Sequence, residues 1–305
     1  MYRFFTAALI ALLTPLTPVN AGDRSRIGYG RLITNDFIGD GKDRWRTGSV
    51  ASSRVWGPEW TGQLPSGFGE LIELRLGAEI IAPENLTGFD RTDRRYASTL
   101  SIGAHTHCLA GKAEVAAGVD LVFVGPQTGL SQFQNTLHDA LDVPAPASGL
   151  LRNQIANSIR PTVVMEMGRS FDVSNQTHIR LFVEARAGLE TLVRVGFDLT
   201  IGALGRGELM SRDPVSGQRY RTIAQDWTGY SAVLGADVTY VGSSEFFHEN
   251  RGPGATDVRK RVRLGLHWQG ENNTAVFYGM TWLGEEFDGQ AGGQVIGSAR
   301  LNFWF

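Results

Sequence analysis

The feature that most constrains the fold is a regular alternation of apolar and polar side chains in many segments of this 305-residue chain. If the last such segment is extended, Val295 and Leu301 point to one side and Arg300 to the other, with Ile296 and Trp304 as exceptions. The same period of two residues recurs in four further segments: 72–80, 179–189, 193–201 and 257–268. This pattern predicts strands with one apolar face and one charged face.

The two ends of the chain favour a membrane barrel over a soluble β-sandwich, two folds that the alternation alone leaves open. Residues 1–21 combine a basic start, a short apolar run and small residues before Ala21, as is typical of a cleaved secretory signal peptide. The chain closes on an aromatic residue, Phe305, which resembles the assembly signal of bacterial outer-membrane barrels. We therefore expect residues 22–305 to form one all-β domain, an antiparallel up-and-down transmembrane β-barrel inserted by the barrel assembly machinery.

About twelve strands fit the sequence, each with roughly the ten residues that a tilted membrane strand needs. They are predicted near 26–36, 45–56, 68–81, 96–108, 112–124, 157–169, 178–189, 192–204, 228–242, 256–269, 274–285 and 294–305. An even number puts both termini in the periplasm. The outward connections are then 37–44, 82–95, 125–156, 190–191, 243–255 and 286–293. The segment 205–227 is long for a periplasmic turn, and the strand register around it stays open.

Composition narrows the class of partner. With a net charge of −2, the chain is not expected to bind nucleic acid. Its 38 glycines exceed the average share of about 7%, and small residues suit crowded barrel strands. Cys108 is the only cysteine, which excludes an intrachain disulfide. We further expect a monomer.

A short polar helix is predicted in the third and longest outward connection. Gly125 and Pro126 end the preceding strand, and from Leu130 the spacing becomes helical. Four apolar residues share one face of this helix: Leu130, Phe133, Leu137 and Leu141. Gln134 and His138 lie four residues apart on another face. A histidine on a polar helix between strands indicates a functional site, and the alternative is a helix that merely caps the sheet edge.

Polar residues also meet where the first two strands are joined by an outward connection. Asn35 and Asp36 end the first strand, and Thr47 lies at the start of the second. Their oxygens are hard ligands of the kind that Ca²⁺ prefers, although they also suit Mg²⁺. The alternative is an ordinary polar turn, because Asn and Asp are common in loops that contain glycine.

Five motifs occur in an order that resembles the outer-membrane lipid A 3′-O-deacylases. They are TNDF at 34–37, RTG at 46–48, DRRYAS at 93–98, GPQTG…QNTLH at 125–138 and GEEFDGQ at 284–290. The resemblance covers nearly the whole mature chain, and the motif at 125–138 is its most specific part. Ser98 and Leu130 depart from the pattern, since the family usually has glycine at both positions.

The resemblance implies a twelve-stranded barrel that hydrolyses the acyloxyacyl chain at the 3′ position of lipid A, within lipopolysaccharide, and depends on Ca²⁺. The Asn-Asp, Thr and His of the family's active site fall on Asn35, Asp36, Thr47 and His138, and Gln134 also matches. The mature chain would accordingly be a deacylase domain whose site faces the outer leaflet.

We expect hydrolysis by an activated water. The His138 imidazole would act as general base, because histidine ordinarily titrates near neutral pH. Ca²⁺ near Asn35 and Asp36 would polarise the ester carbonyl and stabilise the oxyanion, while Thr47 and Gln134 would position the reactants. A Ser-His-Asp triad is disfavoured because no serine lies in a nucleophile-elbow motif.

Two other functions remain open at this point. An outer-membrane phospholipase would cleave the same type of bond in a different lipid, but such enzymes commonly use a His-x-Ser pair, which this sequence lacks. A non-enzymatic barrel, such as a pore, would have no use for a histidine-bearing helix in an outward connection.

Overall fold

The computed structural model describes residues 24–88, 90–247, 252–271 and 274–302. The predicted signal peptide at 1–21 and the terminal Trp304 and Phe305 lie outside these residues, so both stay predictions. Among the described residues, no helix has the length and apolarity that crossing a membrane requires.

Fourteen strands are formed within the described residues. In chain order they are β1 (Ser25–Asn35), β2 (Trp45–Gly57), β3 (Leu71–Ala82), β4 (Ala97–Ala110), β5 (Ala113–Val124), β6 (Ser158–Ser174), β7 (Thr177–Ala187), β8 (Glu190–Ile201), β9 (Leu209–Arg212), β10 (Arg219–Ile223), β11 (Gly229–Ser244), β12 (Val258–Gln269), β13 (Ala275–Leu283) and β14 (Gln294–Asn302). All except β9 and β10 close into one antiparallel barrel, in which β8 pairs directly with β11 and β1 pairs with β14. The predicted twelve-stranded barrel is confirmed.

The barrel is apolar outside and charged inside. Along β12, Val262 and Leu264 are exposed on the outer face, whereas Arg261 and Arg263 are buried in the lumen. The buried guanidinium groups pair with carboxylates on other strands of the lumen. Arg261 Nε lies 3.0 Å from Asp237 Oδ1 on β11, and Arg263 Nη2 lies 2.7 Å from Asp198 Oδ1 on β8. A soluble sandwich would reverse these faces, so the alternation has the sense of a membrane barrel.

The segment 205–227, whose structure the sequence left open, folds into the lumen from the periplasmic end. Its β9–β10 hairpin is held there by Arg212, which lies 2.7 Å from Glu166 on β6 and 2.8 Å from Asp198 on β8. At the hairpin tip, Val215 packs against Ile296, which explains why an apolar residue breaks the alternation of β14. This lumenal hairpin is part of the barrel interior rather than a periplasmic turn.

Close backbone contact joins the lumenal hairpin to β1. A Cβ atom on Gly30 would lie 2.4 Å from the carbonyl oxygen of Arg221, and one on Gly28 would lie 2.3 Å from that of Thr222. Both distances are shorter than carbon and oxygen atoms can approach. Glycine at these two positions therefore permits β10 to lie flat against the inner face of β1.

The predicted helix is confirmed as α1 (Leu130–Leu141), which follows a 3₁₀ turn at Pro126–Thr128 and precedes a shorter helix, α2 (Ser148–Arg152). Gly129, with φ of 72°, separates the turn from α1. The buried residues of α1 are polar: Ser131, Gln134 and His138. Its apolar face is exposed, so the helix packs on the barrel through its polar side.

Candidate active site on the outer face of the barrel wall

The candidate site lies on the lipid-facing side of the wall, not in the lumen. Asn35 belongs to the same side of β1 as Ile33, an exposed residue of the outer face. Ser98 similarly shares its side of β4 with Ile102, and Ser98 Oγ lies 2.8 Å from Thr128 Oγ1 in the 3₁₀ turn that precedes α1. Helix α1 therefore lies outside the wall over the outward end of β4, and its His138 reaches Asp43 in the connection between β1 and β2.

A β-bulge shapes the corner between β1 and β2. The register in which β2 pairs with β3 shifts between Arg46 and Gly48. Thr47 therefore occupies the bulged position, which changes the direction of its side chain. Asn35 donates from Nδ2 to the Thr47 carbonyl at 2.8 Å, and its Oδ1 accepts from the Phe37 amide at 2.8 Å. Gly48, which pairs with Asn35, leaves room for this amide, because a Cβ atom there would lie 3.2 Å from Nδ2.

Asp36 is buried next to this corner. It accepts from the Arg44 amide at 2.8 Å, and its Oδ1 lies 3.3 Å from Thr47 Oγ1. Burial raises the pKa of Asp36 from 3.8 to about 8, and the negative charges of Asp43 and Asp40 add to the effect. Burial at this corner thus disfavours the ionised form of the Asp36 carboxyl.

His138 is oriented by neighbours on both ring nitrogens. Nδ1 lies 2.8 Å from the Pro144 carbonyl, which can only accept, so Nδ1 carries the proton. Gln134 Oε1 accepts from the Tyr96 hydroxyl at 2.8 Å, which turns the Gln134 amide nitrogen toward His138 Nε2 at 3.4 Å. An amide nitrogen donates, so Nε2 presents its lone pair. Burial raises the pKa of the Tyr96 phenol, which keeps its hydroxyl proton in place.

Asp43 joins the two halves of the site. Its Oδ2 lies 3.2 Å from His138 Nε2, with which it forms an ion pair only when Nε2 is protonated. Its Oδ1 accepts a short hydrogen bond from Thr47 Oγ1. Through this carboxylate the structure brings His138 and Gln134 on α1 together with Thr47 and, beyond it, the corner formed by the end of β1.

Sequence reasoning missed both Asp43 and Tyr96. Asp43 lies four residues before Thr47 in the connection between β1 and β2, so the predicted topology alone could have placed it at the rim. Tyr96 lies within the DRRYAS motif, but its side chain gained a role only when the position of α1 was known. The sequence identified neither Asp43 as a partner of His138 nor Tyr96 as a partner of Gln134.

The residues present fit a divalent cation by the chemistry of their donors. Asp36 and Asp43 both reach Thr47 Oγ1, and Asn35 adds an amide oxygen nearby. Burial, with a smaller effect from Asp43 and Asp40, raises the pKa of Asp36, and a bound cation would favour the ionised carboxylate instead. Across the described part of the chain, no group of three or more His, Cys, Asp or Glu side chains is arranged as a metal site. A cation here would therefore depend on neutral oxygens beside two carboxylates.

A closed barrel of twelve strands with an apolar exterior and a charged lumen defines the class: an outer-membrane β-barrel protein, here with a polar site beneath an outward helix. The family model described as outer membrane protein LpxR matches residues 5–305. The chain belongs to the LpxR family. This confirms the resemblance found in the sequence and the outer-membrane location.

One solved structure agrees with the fold. LpxR from Salmonella typhimurium is 14% identical, with 91% of this chain and 100% of that chain covered and a TM-score of 0.72. The KdgM porin (7% identity, 91% and 99% covered, TM-score 0.36) and the CymD monoaromatic hydrocarbon channel (11%, 89% and 86%, TM-score 0.34) are much less similar. No curated protein matches the chain.

Proposed function

We propose that this protein is an outer-membrane hydrolase that removes the 3′-linked acyloxyacyl chain of lipid A. The observation that carries the proposal is the position of His138. Its Nε2 lone pair faces a corner rich in oxygen ligands on the lipid-facing side of the wall, where a lipid ester arrives from the leaflet. Membership of the LpxR family supports an ester of lipid A as the substrate.

In this mechanism His138 takes a proton from water at Nε2 while Nδ1 keeps its hydrogen bond to Pro144. A positioned general base contributes about 10²- to 10⁴-fold to such a rate. Gln134 orients the imidazole, and Thr47 and Asn35 orient the reacting groups. Asn35, Asp36 and Thr47 would hold a Ca²⁺ ion, which would act as a Lewis acid toward the ester carbonyl and the oxyanion.

The contacts of His138 support water over a serine nucleophile. Within the described residues, the recorded partners of its ring nitrogens are Pro144, Gln134 and Asp43. The two serines near α1 are engaged elsewhere, with Ser98 bonded to Thr128 and Ser131 bonded to Gln132. We accordingly propose direct hydrolysis without an acyl-enzyme. We also propose that the protein acts as a monomer.

The test is mass spectrometry of lipid A from cells that express the wild type or His138→Ala. We expect loss of the 3′ acyloxyacyl mass in the wild type, no loss in His138→Ala, and no loss when a purified wild-type reaction contains chelator. Gln132→Ala, an exposed change on the same helix, is the matched control and keeps wild-type activity. Heat-modifiable migration on a gel verifies that each barrel folds.

Two results would reject the proposal. Undiminished cleavage by folded His138→Ala would remove the base from the mechanism. Release of fatty acid from phospholipid, with lipid A unchanged, would instead identify a phospholipase.

A further inference from the structure

Part of the first outward connection lies flat on the outer face of the barrel. We call residues 37–41 the strap. The Asp40 amide donates to the Val295 carbonyl at 3.0 Å, and the Tyr278 hydroxyl donates to the Ile38 carbonyl at 2.6 Å. The Tyr278 side chain is on the exposed, lipid-facing side of β13, so the strap turns down over the wall instead of standing above it.

Two glycines make this contact possible. A Cβ atom on Gly39 would lie 2.3 Å from the Val295 carbonyl oxygen, and one on Gly297 would lie 2.1 Å from the Ile38 carbonyl oxygen. Gly297 belongs to the outer face of β14, and the strap buries it. The sequence therefore permits backbone to lie directly on backbone at this position.

The strap and α1 carry exposed apolar side chains on either side of the site. Phe37 on the strap is 77% exposed and follows the buried Asp36 directly. On α1, Phe133 is 61% and Leu137 is 44% exposed. Asp139 is also exposed, but at 100° per residue it lies nearly opposite Leu137 around the helix axis. The helix thus has three sides: a polar side that packs on the barrel, an exposed apolar side and an exposed polar side.

We propose that the strap and the apolar side of α1 are immersed in the acyl chains of the outer leaflet and form the two walls of a lateral entrance to the site. We assign lipid acyl chains as the occupant because these side chains continue the lipid-facing surface on which the strap lies. In water, so much exposed apolar surface would be unfavourable by about 25 cal/mol per Å². Only the identity of the lipid that enters rests on the proposed function.

The experiment uses full-length protein in phosphatidylcholine vesicles, labelled with an environment-sensitive fluorophore at single cysteines in a Cys108→Ala background. The three labelled variants are Phe37→Cys, Leu137→Cys and Asp139→Cys. We expect nitroxide on the lipid acyl chains to quench the labels at 37 and 137, and aqueous iodide to quench the label at 139. Iodide quenching of 37 and 137 to the same extent as 139 would overturn the proposal.

A second measurement, of cleavage rates in vesicles and in micelles, tests the role of the entrance. Phe37→Glu and Leu137→Glu should slow cleavage of lipid A in vesicles about tenfold, because a charge opposes immersion, and should leave cleavage in detergent micelles nearly unchanged. Asp139→Lys is the matched control and should behave as wild type in both. Equal losses in vesicles and micelles would refute an entrance role. Fluorophore quenching does not depend on hydrolysis, so it still decides immersion if no variant cleaves lipid A.

Discussion

The Oδ2 atom of Asp43 lies 3.2 Å from Nε2 of His138, across the gap between the first and third outward connections. The other oxygen of the same carboxylate accepts from Thr47. One side chain therefore links the proposed base to the oxygen-rich corner of β1 and β2. The contact also places an anion where it stabilises the imidazolium that forms when His138 takes a proton.

Asp43→Asn should lower kcat by about 10- to 150-fold, which corresponds to the roughly 1.5–3 kcal/mol of a hydrogen bond to a charged group. The amide keeps the shape of the side chain but removes the charge that faces His138. Steady-state kinetics on lipid A in detergent provides the measurement. Asp40→Asn is the matched control, because Asp40 lies in the same connection and pairs with Arg44 at 3.7 Å. Similar losses in both variants would show that Asp43 acts only through the net charge of the connection.

Tyr96→Phe should lower kcat by about 2- to 12-fold, the effect of losing one neutral hydrogen bond of roughly 0.5–1.5 kcal/mol. Without the hydroxyl, the Gln134 amide is free to rotate and present its oxygen to His138, which favours the wrong tautomer. The pH profile of kcat should shift as well, whereas a purely structural defect would leave it in place. Tyr220→Phe, which removes a lumenal hydroxyl bonded to Ser53, is the control. An unchanged profile in Tyr96→Phe would contradict the proposed orientation of Gln134.

In the absence of divalent cations, the barrel should lose stability as the pH rises from about 4 to about 8. The pKa of Asp36 is raised from 3.8 to about 8 by burial and nearby carboxylates, so the folded protein holds a proton that the unfolded chain has released. That contribution to the free energy of unfolding is present below pH 3.8 and is lost as the pH rises through about 8. Urea unfolding in chelator at several pH values measures it.

Asp36→Asn should flatten this dependence, because the amide does not titrate. Added Ca²⁺ should restore wild-type stability at high pH by neutralising the ionised carboxylate. If the variant and the wild type show the same pH slope, the dependence belongs to other groups.

Most of the barrel could be predicted from the sequence because the pattern that identifies a strand is local. Alternation identifies a strand and its two faces without reference to its neighbours, and helical spacing placed the start of α1 at Leu130 correctly. The lumenal hairpin could not be found in this way, because its position depends on distant partners such as Glu166 and Asp198. Asp43 was missed for the same reason, since its partner His138 lies on a separate connection.

Gly30→Ala should destabilise the barrel by about 1–3 kcal/mol, the usual cost of adding a methyl group to a closely packed site. Its Cβ atom would lie 2.4 Å from the Arg221 carbonyl oxygen and would push β10 away from β1. Gly149→Ala in α2 is the control, since the nearest atom to a Cβ there is 3.7 Å away, on the flexible Arg152 side chain. Urea unfolding compares the two. Equal stability of both variants would mean that the lumenal hairpin does not press on β1.

The position of the lumenal hairpin bears on whether the barrel can act as a pore. It crosses the interior with Arg212 bound to β6 and β8, and Gln218 Nε2 donates to the Leu264 carbonyl of β12 at 3.0 Å. Wild-type protein in planar bilayers should therefore show no steady conductance, whereas replacing residues 206–225 by a short Gly-Ser linker should open a channel. Heat-modifiable migration verifies that the shortened barrel has folded. Steady wild-type conductance of the same size as that of the shortened barrel would show that the hairpin does not seal the lumen and would support a pore.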